Sequence, residues 1–151
     1  MALRNIVIKG DPLLKKKSRV VEVFDDRLIQ LLDDMAETMY KEEGCGLAAV
    51  QVGILKRVVV VDVGEGLLEL INPEVISEEG EQNEAEGCLS FPGENGITSR
   101  PAIVKIKAQN RNGQWCVYKG EELKARCFCH EIDHLNGIVF TDRLIKTEKE
   151  V

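Results

Sequence analysis

The sequence predicts an α+β fold, and three observations carry it. Strand-like segments fill the middle of the chain, short turns join most of them, and one helical stretch precedes them while another follows. The 151 residues suit one unit, 1–151, with a core large enough to hold without disulfide staples.

Residues 4–9 alternate weakly and predict a short strand or an extended arm. Asp11-Pro12 turns the chain, and Leu13-Leu14 starts a helical turn. Over residues 26–43, Leu28, Leu32, Met35, Ala36 and Met39 fall on one stripe at helical spacing, with acidic side chains facing out. Asp25 or Asp26 caps that helix and Gly44 stops it. Its methionines serve packing. Gly44-Cys45-Gly46 permits unusual backbone angles and close approach by another chain. Leu47-Ala48-Ala49 suits a tightly packed segment, and a single polar residue, Gln51, emerges from it. Composition alone reads this stretch as a helix cap and a loop, with Gln51 satisfying buried backbone groups. No Lys-Ser/Thr pair follows the glycines, which argues against a phosphate loop.

Residues 57–63 are β-branched and predict a buried strand. Residues 67–71 predict a second strand, which Asn72-Pro73 breaks, and 74–77 begin a third. The acidic stretch 78–84 predicts an exposed loop, and Pro92-Gly93 a turn. Val104 and Ile106 alternate with Lys105 and Lys107 as a strand does. Asn110-Arg111-Asn112-Gly113 is a hairpin turn from which 114–119 pairs back. Trp115, on that returning strand, reads as core. The last helix spans about 122–136 and Gly137 closes it, before a short apolar segment and a charged tail.

Bulk properties narrow the function. A net charge of −6 and a pI near 5.1 argue against a nucleic-acid partner. Lys15-Lys16-Lys17 is short enough to be a solvated face. No apolar run approaches membrane-span length and residues 1–6 lack a signal-peptide core, so a cytoplasmic protein without a membrane partner is expected. Five cysteines, odd in number and irregular in spacing, are not a disulfide framework. Each is a thiol, a small hydrophobe or a metal ligand.

The chemistry concentrates in the last helix. His130 and His134 are the chain's two histidines, and their spacing puts both imidazoles on one helix face, where they can share a metal ion. Glu131 between them can act as base toward a water on that ion. A third ligand is needed. Cys88, in the bend Glu86-Gly87-Cys88-Leu89-Ser90, would complete a set that leaves one tetrahedral position open. Spacing alone leaves two readings of Cys88, ligand or buried structural thiol.

Gly44-Cys45-Gly46-Leu47-Ala48-Ala49-Val50-Gln51, Glu86-Gly87-Cys88-Leu89-Ser90 and His130-Glu131-Ile132-Asp133-His134 resemble the three ordered motifs of peptide deformylases. The similarity runs from the Asp11-Pro12 turn to the last helix and is to the shorter bacterial members. The resemblance implies antiparallel sheets packed around a C-terminal metal-binding helix. It implies Cys88, His130 and His134 as ligands of one divalent metal, Fe2+ in the cell, with Zn2+, Ni2+ or Co2+ able to replace it. A water on the metal would be the nucleophile, Glu131 the general base and then acid, and the Gln51 side chain and Leu89 backbone N–H the oxyanion donors. Gly44 and Gly46 would pair with an extended peptide, and Cys45, Arg126 and Cys127 would line the pocket for its methionine side chain. The substrate would be the N-formylmethionine end of a nascent polypeptide, met at the ribosome exit, and formate the released product.

Three positions depart from the usual pattern: Cys45 for an aliphatic residue, Val50 for a proline, and Cys129 for a glutamine before the first histidine ligand. Cys129 is expected to alter hydrogen bonding around the site and to place another thiol near an oxidisable metal. Asp133 reads as an orienter of a ligand histidine or as an ion-pair partner of Arg100. Glu86 reads as a contact to substrate or Arg100, or as a solvated loop carboxylate. Two other functional readings stay in view. One is an ordinary zinc peptidase with its third ligand at Asp142, Glu148 or Glu150; the other is a metal-bound protein without activity.

Overall fold

The computed structural model describes residues 2–145. Two α-helices, α1 (Asp26–Lys41) and α2 (Leu123–Leu135), pack on opposite faces of a five-stranded antiparallel sheet. That sheet contains β1 (Gly46–Ala48), β2 (Val58–Val61), β3 (Leu68–Glu79), β6 (Ile103–Gln109) and β7 (Trp115–Glu121), in the order β1-β2-β3-β6-β7. A separate hairpin pairs β4 (Gln82–Gly87) with β5 (Asn95–Arg100).

Strand β2 shows why the helices settle where they do. Val58 and Val60 join the cluster around α1, with Leu28, Leu32, Met35 and Met39. Val59 and Val61 point the other way, into the cluster with Phe128, Ile132 and Leu135 of α2. Successive strand side chains alternate faces, and here both faces are covered, so all four valines are buried. Farther along the sheet Val104, Ile106 and Ala108 of β6 reach α2 while Lys105 and Lys107 stay outside. Helix α1 begins at Asp25, whose carboxylate accepts the Leu28 N–H at 3.1 Å, a cap of about 1 kcal/mol.

Three expectations need correction. Asn72-Pro73 does not end a strand; β3 runs through it with a register shift. Asn72 takes φ 53°, which asparagine tolerates better than most residues. Its side chain accepts the Val21 N–H at 2.8 Å and donates to Val21 O and Gln109 Oε1. Residues 78–84 are not a loop but the end of β3, a turn at Gly80 and the start of β4. Mostly exposed polar residues there leave no alternation to read. Trp115 is not core. It sits 54% exposed on edge strand β7, with the Lys107 ammonium 5.2 Å above its ring.

The N-terminal segment is an extended arm. Val7 N–H donates to Gln51 O at 2.7 Å and Lys9 N–H to Ser90 O at 2.8 Å, which fastens the arm beside two of the motif loops. A 3-10 turn (Pro12–Lys15) follows, capped by Asp11.

Candidate metal centre

Helix α2 brings His130 and His134 together, ring centroids 4.9 Å apart, and both imidazoles are buried. Cys88 arrives from the end of β4, its carbonyl accepting the Phe91 N–H in a tight turn. Cys88 Sγ lies 3.3 Å from His134 Nε2, and one donor atom of each residue falls within 4.8 Å of the other two. His130 Nδ1 is engaged by Glu86 Oε2 at 2.6 Å, which leaves Nε2 as its free donor. A thiolate and two imidazoles, one already fixed through its other nitrogen, fit a divalent transition metal. Three protein ligands leave one coordination position for chemistry. Asp142, the alternative third ligand, instead pairs with Lys15 at 3.0 Å, and Glu148 and Glu150 lie outside the described residues.

Of the two readings of Glu86, contact with Arg100 holds and the solvated loop carboxylate does not: Glu86 is buried and accepts from five donors. His130 and Arg100 Nη2 meet Oε2, each at 2.6 Å; Arg126 at 2.7 Å, Thr98 at 2.9 Å and Arg100 Nε at 3.1 Å meet Oε1. Arg100 also pairs with Asp133 at 2.6 Å, so Asp133 reaches the centre through Arg100. Burial alone would raise the Glu86 carboxyl, but hydrogen bonds from His130 and Arg100 outweigh it and hold the group well below the ordinary carboxylate range. The usable signal was Arg126, a guanidinium set among Ala125, Cys127 and Phe128 on an apolar helix, which demands a buried anion.

Glu131 is 3% exposed; Oε1 has no hydrogen-bond partner among the described residues and Oε2 is 4.0 Å from His130 Nε2. Burial pushes its carboxyl up to about 8, against the opposing pull of His130. For His130, burial is overcome by Glu131, Cys88 and Glu86, which raise it well above the ordinary imidazole range. His134 is pushed well below that range by burial and by the charge of His130.

Gln51 serves both readings of its sequence position. Its Oε1 accepts the Ala48 N–H at 2.9 Å, which satisfies buried backbone. That bond turns the amide nitrogen toward Ser90 Oγ at 3.2 Å and Cys88 Sγ at 3.5 Å. A cavity of about 720 Å³ opens over these groups. Gln51, Cys88, Leu89, His130 and Glu131 line it, as do Gly44, Cys45, Gly46, Arg126 and Cys127. His134 lies behind them, fully buried. Both Arg126 Nη atoms are spoken for, donating to Glu86, Thr98 Oγ1 and two carbonyls. A Cβ on Gly46 would lie 2.6 Å from Glu131 Oε2 and 2.7 Å from Cys127 Sγ, so glycine is what lets β1 run this close to α2. Cys129 packs into the core with Val104 and Ile106, and burial pushes its thiol up to about 11.

Comparison with known proteins agrees with this geometry. The polypeptide deformylase family matches residues 3–150. A peptide deformylase of Alkaliphilus metalliredigens is 61% identical over 97% of this chain and 99% of its own. Peptide deformylase 1 of Clostridium acetobutylicum is 55% identical over 98% and 99%. The crystal structure of peptide deformylase from Thermotoga maritima superposes with a TM-score of 0.94 at 41% identity, covering 97% of this chain and all of that one. By sequence along nearly its whole length and by fold, the chain belongs to the polypeptide deformylase family, metalloenzymes that remove the formyl group from the N-terminal methionine of new polypeptides.

Proposed function

We propose that Cys88, His130 and His134 hold the divalent ion of this deformylase, with Glu131 as its proton carrier and residues 1–151 as one catalytic unit. The observation that carries this reading is the convergence of the three donor atoms within 4.8 Å beside a buried carboxylate that has an unpartnered oxygen. A divalent ion held there supplies Lewis acidity toward the formyl oxygen and makes water acidic near neutral pH. Glu131, raised to about 8 by burial, takes the proton of the attacking water and delivers it to the departing amine nitrogen. Charge that builds on the formyl oxygen meets the Gln51 amide N–H and the Leu89 backbone N–H; one fixed donor of this kind is worth about 3 kcal/mol of barrier.

Strand β1 lies at the edge of its sheet, so Gly44 and Gly46 leave room for an extended peptide to pair with the backbone. Cys45, Cys127 and the aliphatic stem of Arg126 flank the methionine side chain, and Leu89 closes the wall against Gly44. Thiolate and imidazole ligands accommodate iron or zinc, and we assign Fe2+ as the cellular ion, with Zn2+, Ni2+ or Co2+ able to replace it. We place the reaction in the cytoplasm, on formylated N-termini leaving the ribosome. The negative net charge supports recognition through the peptide instead of through RNA.

Anaerobically purified, iron-loaded protein should release formate from formyl-Met-Ala far faster than its Glu131→Ala variant. Equal rates would overturn the assignment of Glu131. Cys88→Ala should abolish metal binding; retained binding would return the site to an ordinary two-histidine zinc peptidase. Metal analysis of the same preparation tests the iron assignment.

A further inference from the structure

Two thiols that the deformylation chemistry does not use face each other in the cavity wall. Cys45 Sγ and Cys127 Sγ are 3.5 Å apart, although 82 residues separate them in sequence. Cys45 lies between the end of α1 and the start of β1, and Cys127 lies one turn before His130 on α2. Cys127 is 3% exposed, and its Sγ is also 3.3 Å from the Cys45 carbonyl. Cys45 is half-buried and lines the open cavity, so a small reagent reaches it first. A disulfide needs the sulfurs at about 2.05 Å. The remaining approach of about 1.5 Å is within the reach of side-chain rotation at a residue next to Gly44.

We propose that Cys45 and Cys127 are a redox-active dithiol site whose reaction partner is a low-molecular-weight disulfide. The Cys45 thiolate attacks one sulfur of the small disulfide, forms a mixed disulfide and expels one thiolate. Cys127 then attacks the Cys45 sulfur, closes the Cys45–Cys127 bond and expels the second thiolate. The protein dithiol is oxidised by two electrons, the small disulfide is reduced to two thiols, and the two protons of the protein thiols end on those products. The order of attack follows from exposure. It also agrees with the pair's proton sharing: the hydrogen bond from Cys127 lowers Cys45 to about 7, while that same contact and burial keep Cys127 protonated.

Closure alters the substrate wall. The positions around Gly46 have no slack: Glu131 Oε2 and Cys127 Sγ leave no room even for a Cβ there, which would lie 2.6 and 2.7 Å from them. Drawing the sulfurs together therefore shifts the wall beside the general base, and turnover should fall about tenfold or more. That consequence rests on this cavity being the peptide site; the bond itself does not.

The test uses nickel-loaded full-length protein, oxidised glutathione as the probe, and intact-mass analysis with peptide mapping. The expected result is loss of two hydrogens, a crosslink joining the Cys45 and Cys127 peptides, and a fall in formate release relative to the reduced sample that dithiothreitol reverses. Cys127→Ser should stop at one glutathionyl group on Cys45, and Cys45→Ser should leave Cys127 unmodified. Each variant is compared only with its own reduced form. No crosslink, or modification confined to Cys88 or Cys116, overturns the proposal. A crosslink that leaves formate release unaltered overturns the link to the pocket. Because the bond is read by mass, it is decided whether or not formyl-Met-Ala is a substrate.

Discussion

Replacing Glu86 by Gln tests the centre at its most connected atom pair. The substitution keeps the shape, removes one buried negative charge and turns one acceptor oxygen into an NH2 group. Oε2 faces His130 Nδ1 and Arg100 Nη2, and Oε1 faces Thr98, Arg100 Nε and Arg126 Nη1. Whichever way the amide is placed, its NH2 meets at least one N–H donor that has lost its acceptor. Arg100 and Arg126 are each 4% exposed, so neither can turn to water. Removing one partner from a buried ion pair costs about 3–5 kcal/mol. For a chain of this size that lowers Tm by roughly 10 °C. With the NH2 at the Oε2 position His130 loses its acceptor, and with it at Oε1 a neutral amide oxygen replaces the carboxylate on Nδ1, so metal affinity should fall by about 10- to 100-fold. Calorimetry of metal-loaded and metal-free protein, with chelator competition for the metal, measures both effects. Glu86→Asp separates them: charge is kept, which restores part of the stability, while the shorter side chain cannot reach His130 and metal affinity stays low. A Gln variant that melts within about 2 °C of the parent and binds metal as tightly would refute this account of the network.

Gly46→Ala should drive its Cβ into Glu131 and Cys127, costing about 1–3 kcal/mol of stability and roughly 100-fold in kcat, seen by melting and by formate release. Asp34 accepts from Ala2 N–H at 2.8 Å, Gln30 at 2.6 Å and Arg4 Nε at 3.0 Å. Burial raises its carboxyl, but these bonds and the Arg4 charge leave it below its ordinary 3.8. A depressed carboxylate stabilises the fold fully above its ordinary value and loses that contribution as pH falls from there through its lower value in the folded protein. The melting difference between parent and Asp34→Asn, about 1 kcal/mol near neutral pH, should therefore shrink below pH 3.8. Trp115→Ser, on the exposed edge strand, should change stability by no more than about 0.5 kcal/mol in the same melts.

The legible parts of this molecule were those whose periodicity is local. The α1 stripe, the fourfold valine strand and the His130–His134 spacing each reside in one element, so residue order alone displays them. The β4–β5 hairpin was not legible because polar residues occupy both of its faces, and without the hairpin Glu86 stayed open between a partner of Arg100, which it is, and a solvated carboxylate. Yet α2 carried a usable contradiction. Arg126, His130, Glu131, Asp133 and His134 are polar, and all are buried on a helix that packs against the core. Such a stripe requires compensating charge from elements distant in sequence. The fold brings the Glu86 and Arg100 side chains, and the Cys88 sulfur, from the hairpin and its turn. Three carboxyls of the cluster, Glu86, Glu131 and Asp133, stand with three guanidiniums, Arg100, Arg126 and Arg143, the last reaching Asp133 at 3.0 Å. Burial first, then Cys45 and Glu86, push Glu131 up to about 8, and Glu131, Cys88 and Glu86 raise His130 despite its burial. The placing of the ligands thus depends on the whole buried network, through Glu86 on His130 and Arg100 between Glu86 and Asp133, as well as on the three residues that would touch the ion.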